Sequence, residues 1–184
     1  KPCFHCNQPP CVKVCPVGAT YKRTDGIVLV DTDRCIGCKF CMTACPHSSR
    51  VFQWKEAPKT AASCSTPYSP ETSVPSRVGT VGKCDFCPDM ARQGKLPGCV
   101  TGCPNGVIFF GDKNEDIVTN GSESFRFSEL VPDRAGYHFM AELATEPNVY
   151  YLPPVDRLFD YEKGFNDLSE EQVSFYKSSI VNKH

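Results

Sequence analysis

Cysteine is the residue type in this chain whose number and spacing point to chemistry, with 13 cysteines among 184 residues. A thiolate binds soft metal ions, forms disulfides and attacks electrophiles. All but one of the cysteines fall into sets of four, and each set ends in the pattern C-x3-C followed by proline. The gaps inside the sets therefore have to distinguish between disulfides, zinc sites and iron–sulfur clusters.

The second set has the spacing C-x2-C-x2-C-x3-C-P without a mismatch and comprises Cys35, Cys38, Cys41 and Cys45, closed by Pro46. This is the run that bacterial ferredoxins use to bind 4Fe-4S clusters. Two-residue gaps let three sulfurs reach three irons of one cluster, and Gly37 suits a backbone that must approach the cluster closely. The fourth cysteine lies one helical turn after the third and ligates the neighbouring cluster.

The other two sets have the same pattern with one gap lengthened. The first is C-x2-C-x4-C-x3-C-P, formed by Cys3, Cys6, Cys11, Cys15 and Pro16. The third is C-x2-C-x11-C-x3-C-P, formed by Cys84, Cys87, Cys99, Cys103 and Pro104. A zinc ribbon would place two C-x2-C pairs about 15 to 20 residues apart, and disulfide pairing has no reason to produce sets of four. Iron–sulfur clusters are therefore favoured over zinc and over disulfides.

Three further residues have alternative interpretations. Cys64 has no partner at ligand spacing and is predicted to be an unliganded loop cysteine. His5 lies between two cysteines of the first set and could replace one of them on iron, but four cysteines are already present. Lys39 lies inside the second set, where its charge either raises the cluster potential or is simply solvated. The sequence does not distinguish these two roles of Lys39.

The composition fits a folded protein without a basic excess. Hydrophobic residues make up 40% of the chain and the formal net charge is −1, with Lys and Arg scattered, so nucleic-acid binding has little support. The longest apolar runs, Ile27–Val30 and Val107–Phe110, have the length of strands, far below the roughly 18 residues of a membrane span. The sequence also shows no glycine-rich nucleotide motif and no Ser, His and Asp constellation that would support an enzyme.

Short hairpins and short helices are predicted to position the cysteines, which corresponds to an α+β fold. Thr20–Lys22 and Ile27–Val30 flank an Asp25-Gly26 turn and predict a β-hairpin. Each terminal proline is followed by a short turn and then by a β-branched or aromatic strand, so the three sets form weak repeats. We expect a ferredoxin-like multi-cluster 4Fe-4S domain with a surface insertion and an extended C-terminal tail.

The chain is predicted to divide into four regions. Residues 1–53 form a dicluster ferredoxin-like module, 54–83 a surface insertion rich in Pro, Ser, Thr and Ala, 84–111 the third cysteine set as half of a second module, and 112–184 a C-terminal extension that contacts another subunit. Helices are predicted in the extension near Glu129–Leu143 and over Glu170–Ile180, the second opened by a capping box of Ser169 and Gln172. Val149–Pro154 is predicted to be a packed strand rather than a ligand site.

Several stretches resemble the four-cluster ferredoxin subunit of the dimethyl sulfoxide reductase type, namely Cys3–Cys11, Pro16–Lys22, Asp31–Pro46, Lys83–Cys87 and Glu142–Tyr151. The resemblance spans residues 1 to about 155, and its cysteine motifs are highly specific. Members of this family are electron-transfer subunits of molybdopterin oxidoreductases such as polysulfide, thiosulfate, tetrathionate and nitrite reductase systems.

The resemblance, together with the exchange of fourth cysteines, implies the ligand sets. One cluster takes Cys3, Cys6, Cys11 and Cys45, and its neighbour takes Cys35, Cys38, Cys41 and Cys15. A third takes Cys84, Cys87 and Cys99, while Cys103 either serves a fourth cluster or closes the third. Family members carry one more motif before the position of Cys3, so three 4Fe-4S clusters are expected on this chain and a fourth is shared with that motif. The chain is accordingly expected to be a fragment or a processed form, with a natural three-motif protein as the alternative.

The implied function is to pass single electrons through 4Fe-4S clusters between a large catalytic subunit, molybdopterin-type or related, and an integral membrane quinone-reactive or haem subunit. No substrate site of its own is expected. The complex is expected to be membrane-associated through these partners, on the periplasmic, outer face of the cytoplasmic membrane. The alternatives are a free soluble multi-cluster ferredoxin and, in a different class, an enzyme with an unusual cluster at the third set.

Overall fold

Short elements joined by cysteine-bearing loops make up the fold. The computed structural model describes residues 2–55, 77–154, 169–171 and 174. Residues Lys1–Leu152 form one compact unit and Pro153–His184 form another. The helices and strands in chain order are α1 Pro10–Lys13, β1 Thr20–Lys22, β2 Val28–Val30, α2 Phe40–Thr43, β3 Val51–Phe52, β4 Val81–Gly82, α3 Pro88–Arg92, α4 Gly98–Thr101, β5 Phe110–Asp112, β6 Ile117–Thr119, β7 Ser124–Arg126, α5 Phe127–Asp133 and a 3₁₀ turn at Ala141–Leu143.

The predicted hairpin after the first cysteine set is confirmed. Strands β1 and β2 pair antiparallel with Thr20 opposite Val30, although β2 begins one residue later than predicted. Asp25 accepts the backbone N–H of Ile27 through Oδ1 at 3.2 Å, and Gly26 has a φ of 89°. A positive φ at this position is the reason that an Asp-Gly pair makes a tight hairpin turn.

Two more antiparallel sheets follow the other cysteine sets. Strands β3 and β4 pair across the described residues on either side of 56–76, so β4 joins the body although it lies within the predicted insertion 54–83. Strands β5, β6 and β7 form a three-stranded sheet. The strand predicted at Val107–Phe110 begins only at Phe110.

The helices that carry cysteines are single turns, because prolines and the C-x3-C spacing limit their length. Helix α1 begins with Pro10 in its first turn and includes Cys11. Helix α2 follows Lys39, whose backbone has a left-handed conformation, and includes Cys41. The fourth cysteine then lies just beyond each helix, and the following proline cannot continue the helical hydrogen bonds. Third and fourth cysteines of one set therefore face different directions.

The single helix predicted near Glu129–Leu143 is wrong. Helix α5 ends at Asp133, and a separate 3₁₀ turn covers Ala141–Leu143. Pro132 lies inside α5 and removes one backbone donor, and Ala135 then adopts a φ of 50°, so the helix cannot continue. Backbone conformation at a few positions thus overrides helical propensity in this stretch.

The other predictions for the tail are tested only in part. Tyr151, in the stretch predicted as a packed strand, makes an isolated antiparallel bridge with Tyr137 and belongs to no named strand. Glu170 and Glu171 are helical, but most of the helix predicted over 170–180 lies outside the described residues. Among the described residues, no helix has both the length and the apolar character to cross a membrane.

The hydrophobic core lies between the first two cysteine sets. Val28 and Val81 are each 1% exposed and pack with the buried side chains of Cys11 and Cys41. Phe52 is partly buried against the same cluster. Because α1 and α2 turn cysteines toward this core, thiol groups provide part of the packing in a unit that has few large apolar side chains at its centre.

Candidate cluster-binding site

Four cysteines from two different sets surround a first cavity. The cysteines that line it are Cys3, Cys6, Cys11 and Cys45. The first three come from the first set, whereas Cys45 is the last cysteine of the second. The grouping is the one that the resemblance and the exchange of fourth cysteines imply. We refer to this space as cavity one.

A second cavity shows the reciprocal exchange. The cysteines that line it are Cys15, Cys35, Cys38 and Cys41. Helices α1 and α2 contact one another, so a cysteine just beyond each helix reaches the cavity of the other set. The crossing is thus produced by two single-turn helices that pack together and end shortly before their fourth cysteine. We refer to this space as cavity two.

Backbone N–H groups are directed at the cysteine sulfurs. The N–H of Thr20 donates to Sγ of Cys15 at 3.4 Å. Burial by itself would raise the pKa of the Cys15 thiol, but N–H groups of Thr20, Val17 and Ala19 outweigh it and lower that pKa. Hydrogen bonds of this kind favour a thiolate, which is the form that ligates iron.

In cavity one, the pKa values of two thiols are raised rather than lowered. Burial raises the pKa of Cys6 and of Cys11, and the neighbouring cysteines raise both further. For Cys11 the guanidinium of Arg50 works against this increase. The thiols of Cys6 and Cys11 are therefore poorly placed to ionise on their own, and bound iron ions would supply the positive charge that favours their thiolate forms.

Gly37 allows the loop of the second set to lie close to the backbone beside β4. Its φ is 69°, and a Cβ at this position would lie 2.1 Å from the carbonyl oxygen of Gly79. Any side chain would collide with that carbonyl. The structure thus shows a close approach of Gly37 to the backbone of Gly79, whereas the predicted approach of this glycine to a cluster stays a prediction.

Three cysteines of the third set also lie near one another. Burial raises the pKa of Cys87, and Asp85, Cys84 and Cys99 add to the increase, whereas the N–H of Gly98 lowers it. Phe86 and Cys87 both have positive φ values, so the loop before α3 is tightly curved.

The sulfur of Cys103 accepts hydrogen bonds from backbone N–H groups of the loop that follows it. The backbone N–H of Val107, followed by those of Asn105, Gly106 and Ile108, lowers the pKa of its thiol. The interactions that shift the pKa of Cys87 involve Cys84 and Cys99, which is consistent with a different role for Cys103. Both alternatives for Cys103, a fourth cluster or closure of the third, stay open.

The cysteines of the two cavities fit an iron–sulfur cluster. Within the described parts of the chain, no three His, Cys, Asp or Glu side chains converge on a point suited to a single metal ion. The thiols instead line two neighbouring cavities, four to each, and a backbone N–H reaches the sulfur of Cys15. This is a donor set for a cubane, whose four irons each take one thiolate.

His5 and Lys39 have structural partners. His5 is 2% exposed, and its Nδ1 accepts the N–H of Val28 at 3.0 Å. Burial, with a contribution from Lys83, lowers the pKa of His5 to about 3, so the imidazole is neutral. Lys39 places Nζ 4.3 Å from the ring centre of Phe52 and 4.0 Å from that of Trp54, and it also borders cavity two. Cys64 lies outside the described residues.

Two cations near the cysteines, the buried Arg50 and the partly buried Lys83, were not recognised in the sequence. Arg50 borders cavity one, and its Nη1 donates to Oγ1 of Thr20 at 3.1 Å. Lys83 donates from Nζ to the carbonyl oxygens of Val28 and, at 2.8 Å, of Cys84. Both cations lie close to a cysteine motif in the sequence: Arg50 is five residues after Cys45, and Lys83 directly precedes Cys84. This proximity is the sequence signal that could have identified them.

A C-terminal segment holds the first cysteine loop in place. We call residues 145–148 the clamp segment. Its carbonyl at Glu146 accepts the N–H of Asn7 at 2.8 Å, and the N–H of Asn148 donates to the carbonyl of Phe4 at 2.8 Å. Oγ1 of Thr145 lies 3.0 Å from Nε2 of His47. The predicted C-terminal extension therefore contributes directly to the shape of cavity one.

Comparison with known proteins gives a consistent result. Residues 1–74 match the model of a family described as a 4Fe-4S dicluster domain. The iron-sulfur cluster-binding subunit of menaquinone reductase from Nitratidesulfovibrio vulgaris is 37% identical over an alignment of 192 positions, which covers 94% of this chain and 71% of the relative.

Two further relatives belong to other reductases. A selenate reductase subunit of Mesobacillus selenatarsenatis is 40% identical over 165 residues, covering 83% of this chain and 53% of the relative. A tetrathionate reductase subunit of Salmonella typhimurium is 41% identical over 150 residues, covering 82% of this chain and 49% of the relative. The chain thus spans about half the length of several curated relatives that it matches.

Proposed function

Because the chain belongs to the family of 4Fe-4S iron–sulfur subunits of dimethyl sulfoxide reductase-type oxidoreductases, we propose that it relays single electrons inside a respiratory oxidoreductase complex. Its partners are a catalytic subunit, molybdopterin-type or related, and an integral membrane quinone-reactive or haem subunit. The complex lies at the outer, periplasmic face of the cytoplasmic membrane. The crossed arrangement of cysteines around two adjacent cavities is the observation that carries the proposal.

The proposed ligands follow the two cavities. Cavity one holds a cluster on Cys3, Cys6, Cys11 and Cys45, and cavity two holds a cluster on Cys15, Cys35, Cys38 and Cys41. A third cluster is ligated by Cys84, Cys87 and Cys99. A bound 4Fe-4S cluster supplies one-electron transfer at a potential between roughly −700 and +450 mV. Since a full set of four thiolates leaves no iron position open, cavities one and two bind no substrate.

The three sites form a row. Cavities one and two adjoin through α1 and α2. On the other side, the ring of His5 lies 4.7 Å from that of Phe86, and Lys83 contacts the carbonyl of Cys84. These contacts support the order cavity two, cavity one, third set.

The two ends of this row reach solvent. Cys38 and Cys99 are exposed, whereas Cys3, Cys11 and Cys41 are buried. Of the three sites proposed on this chain, the two outer ones therefore exchange electrons with their surroundings near Cys38 and near Cys99, and a fourth cluster at Cys103 would extend the row beyond the third set.

Exposed apolar side chains lie near Cys38, since Ile36 and Phe40 flank it in the sequence and the ring centre of Trp54 lies 4.0 Å from Nζ of the adjacent Lys39. Ile36 is 65% exposed, Phe40 60% and Trp54 71%. Exposed apolar groups gathered in one place are typical of a surface that binds another protein. We define Ile36, Phe40 and Trp54 as the apolar patch and propose that it contacts the partner that exchanges electrons at cavity two.

The test is purification of the complex from its native membrane in mild detergent, with mass analysis of the proteins and of iron. About 12 irons per chain corresponds to three cubanes of four irons, and about 8 would exclude the third. Co-purification with a large molybdopterin or haem protein and a hydrophobic membrane subunit is the expected result. A lone soluble chain with intact clusters would instead favour the diffusing ferredoxin.

A further inference from the structure

The guanidinium of Arg50 is buried without full compensation from the protein. Only 6% of the residue is exposed, and Nη2 has no hydrogen-bond partner in the described part of the chain. A guanidinium keeps its charge at all physiological pH values, so its burial costs free energy unless acceptors surround it. The fold therefore maintains a positive charge in a place where another acceptor is required.

This charge lies between the two cavities. Arg50 borders cavity one, and its Nη1 donates to the hydroxyl of Thr20. Thr20 in turn borders cavity two and donates its backbone N–H to Sγ of Cys15. One side chain thus touches the surroundings of both cysteine groups.

We propose that Arg50 is a positioning residue that raises the reduction potentials of the two clusters, with Nη2 donating to the sulfur shell in cavity one. The inference rests on the proposed ligation of clusters by the cysteines of both cavities. A sulfur atom of a cluster in cavity one would give Nη2 the hydrogen-bond acceptor that it lacks. It would also explain why a charged side chain is buried here, which packing alone does not.

The direction of the effect follows from electrostatics. Reduction adds one negative charge to a cluster, and a nearby positive charge in a medium of low dielectric constant stabilises the reduced form. Net charge and hydrogen bonds to sulfur are determinants of cluster potential. Because Arg50 borders cavity one directly and reaches cavity two through Thr20, the effect is larger on the first cluster.

The experiment is a redox titration of the full chain in its native complex, followed by electron paramagnetic resonance. Arg50→Met removes the charge and keeps a long side chain, and Arg50→Lys keeps the charge. Arg126→Gln removes a charge whose side chain is 72% exposed and is the matched control. Cys6→Ala and Cys38→Ala each eliminate one signal and so assign the signals. Iron per chain is measured for every variant.

We expect Arg50→Met to lower the midpoint potentials of both clusters while the third cluster is unchanged. Arg50→Lys retains most of the original potentials, and Arg126→Gln has no effect. Unchanged potentials in Arg50→Met with full iron content would overturn the proposal, as would equal shifts in Arg50→Met and Arg50→Lys.

Loss of clusters is also informative. If Arg50→Met loses iron and Arg50→Lys retains it, the requirement is for charge and the proposal is supported. Equal loss in both variants would overturn it, because the shape of arginine would then be what matters. A parent protein without clusters at the two cavities would instead refute the proposed function on which the inference rests.

Discussion

At the level of single residues, the fourth cysteine of each of the first two sets borders the cavity of the other set. Cys45 belongs with Cys3, Cys6 and Cys11, and Cys15 belongs with the cysteines of the second set. If each cavity holds a cluster as proposed, the two clusters depend on one another, because the loss of one fourth cysteine removes a ligand from the cluster of the other set.

Paired substitutions test this exchange through iron content. Cys45→Ala, Cys6→Ala and Cys38→Ala should each remove one cluster, or about four irons. The double variant of Cys6 and Cys45 should lose no more than either single variant, because both residues ligate one cluster. The double variant of Cys38 and Cys45 should lose about eight irons. A loss of only four in that variant would show that each set closes its own cluster. Cys64→Ala is the control and should lose none.

Gly37 offers a second test at this scale. Gly37→Ala combines a left-handed backbone with a Cβ 2.1 Å from Gly79 O, whereas Gly18 has a φ of 63° and no described atom within 4 Å of an added Cβ. Gly18→Ala should cost about 1–2 kcal/mol, and Gly37→Ala roughly 1–3 kcal/mol more. The urea concentration at which cluster absorbance disappears measures the difference. Equal midpoints would mean that the contact with Gly79 is easily relieved.

At the level of elements, single-turn helices and the clamp segment hold the cysteine loops. Helices this short are not stable by themselves, so tertiary contacts keep them in place. Backbone hydrogen bonds from Asn7 and Asn148 join the first loop to a segment far away in sequence, and Thr145 of that segment contacts His47. Cavity one therefore depends on a part of the chain that contains none of its cysteines.

A substitution of Thr145 tests whether cavity one depends on the clamp segment. Thr145 is 6% exposed, and Thr145→Val removes the hydroxyl that meets Nε2 of the buried His47. We expect a loss of about 1–3 kcal/mol in stability, with a faster release of iron from the Cys3, Cys6, Cys11 and Cys45 cluster on exposure to a chelator. Thr145→Ser keeps the hydroxyl and is the matched control. If both variants release iron at the parent rate, the hydroxyl has no part in retaining that cluster.

At the level of the whole molecule, the proposed cluster sites lie partly in the hydrophobic core, whereas the proposed partner contact lies on the surface. The core residues Val28 and Val81 pack with Cys11 and Cys41, which are proposed cluster ligands, and the proposed apolar patch lies on the surface near Cys38. We therefore expect the fold to depend on its clusters and electron exchange to depend on a partner that covers the patch.

The apolar patch is tested by a change that leaves the clusters intact. Phe40→Ser should reduce the amount of partner subunit that co-purifies, while iron per chain stays constant, because the exposed ring contributes apolar area to the interface and not to the core. Ile117→Ser, at a residue on β6 that is 49% exposed, should leave co-purification unchanged. An equal effect of the two substitutions would exclude a specific role for the patch.

Removal of iron is expected to affect the whole of the unit that contains the cysteines. Cys11 and Cys41 are part of the core, and without iron their buried thiols lose the bonds that hold the loops together. Anaerobic chelation should therefore accelerate amide hydrogen exchange in β1 and β2 as well as in the cysteine loops. Protection that persists in the hairpin after complete iron removal would show that the hairpin is stable without clusters.

The sequence by itself determined the features that depend on short spacings. Two-residue gaps between cysteines, a proline after each fourth cysteine and the Asp25-Gly26 turn act within a few residues, so the cysteine sets and the first hairpin could be predicted. The family resemblance also implied the grouping of cysteines that borders the two cavities. The spacings and the turn are local constraints, which can be read from neighbouring residues.

Only the tertiary structure decided which distant side chains meet. It brought Arg50 to Thr20 and Thr145 to His47, and it ended the predicted helix at Asp133. A lone arginine or threonine has no periodicity to reveal its burial, and a helix ends where its neighbours and backbone angles no longer support it. These outcomes depend on packing between segments far apart in the chain, which no local pattern encodes.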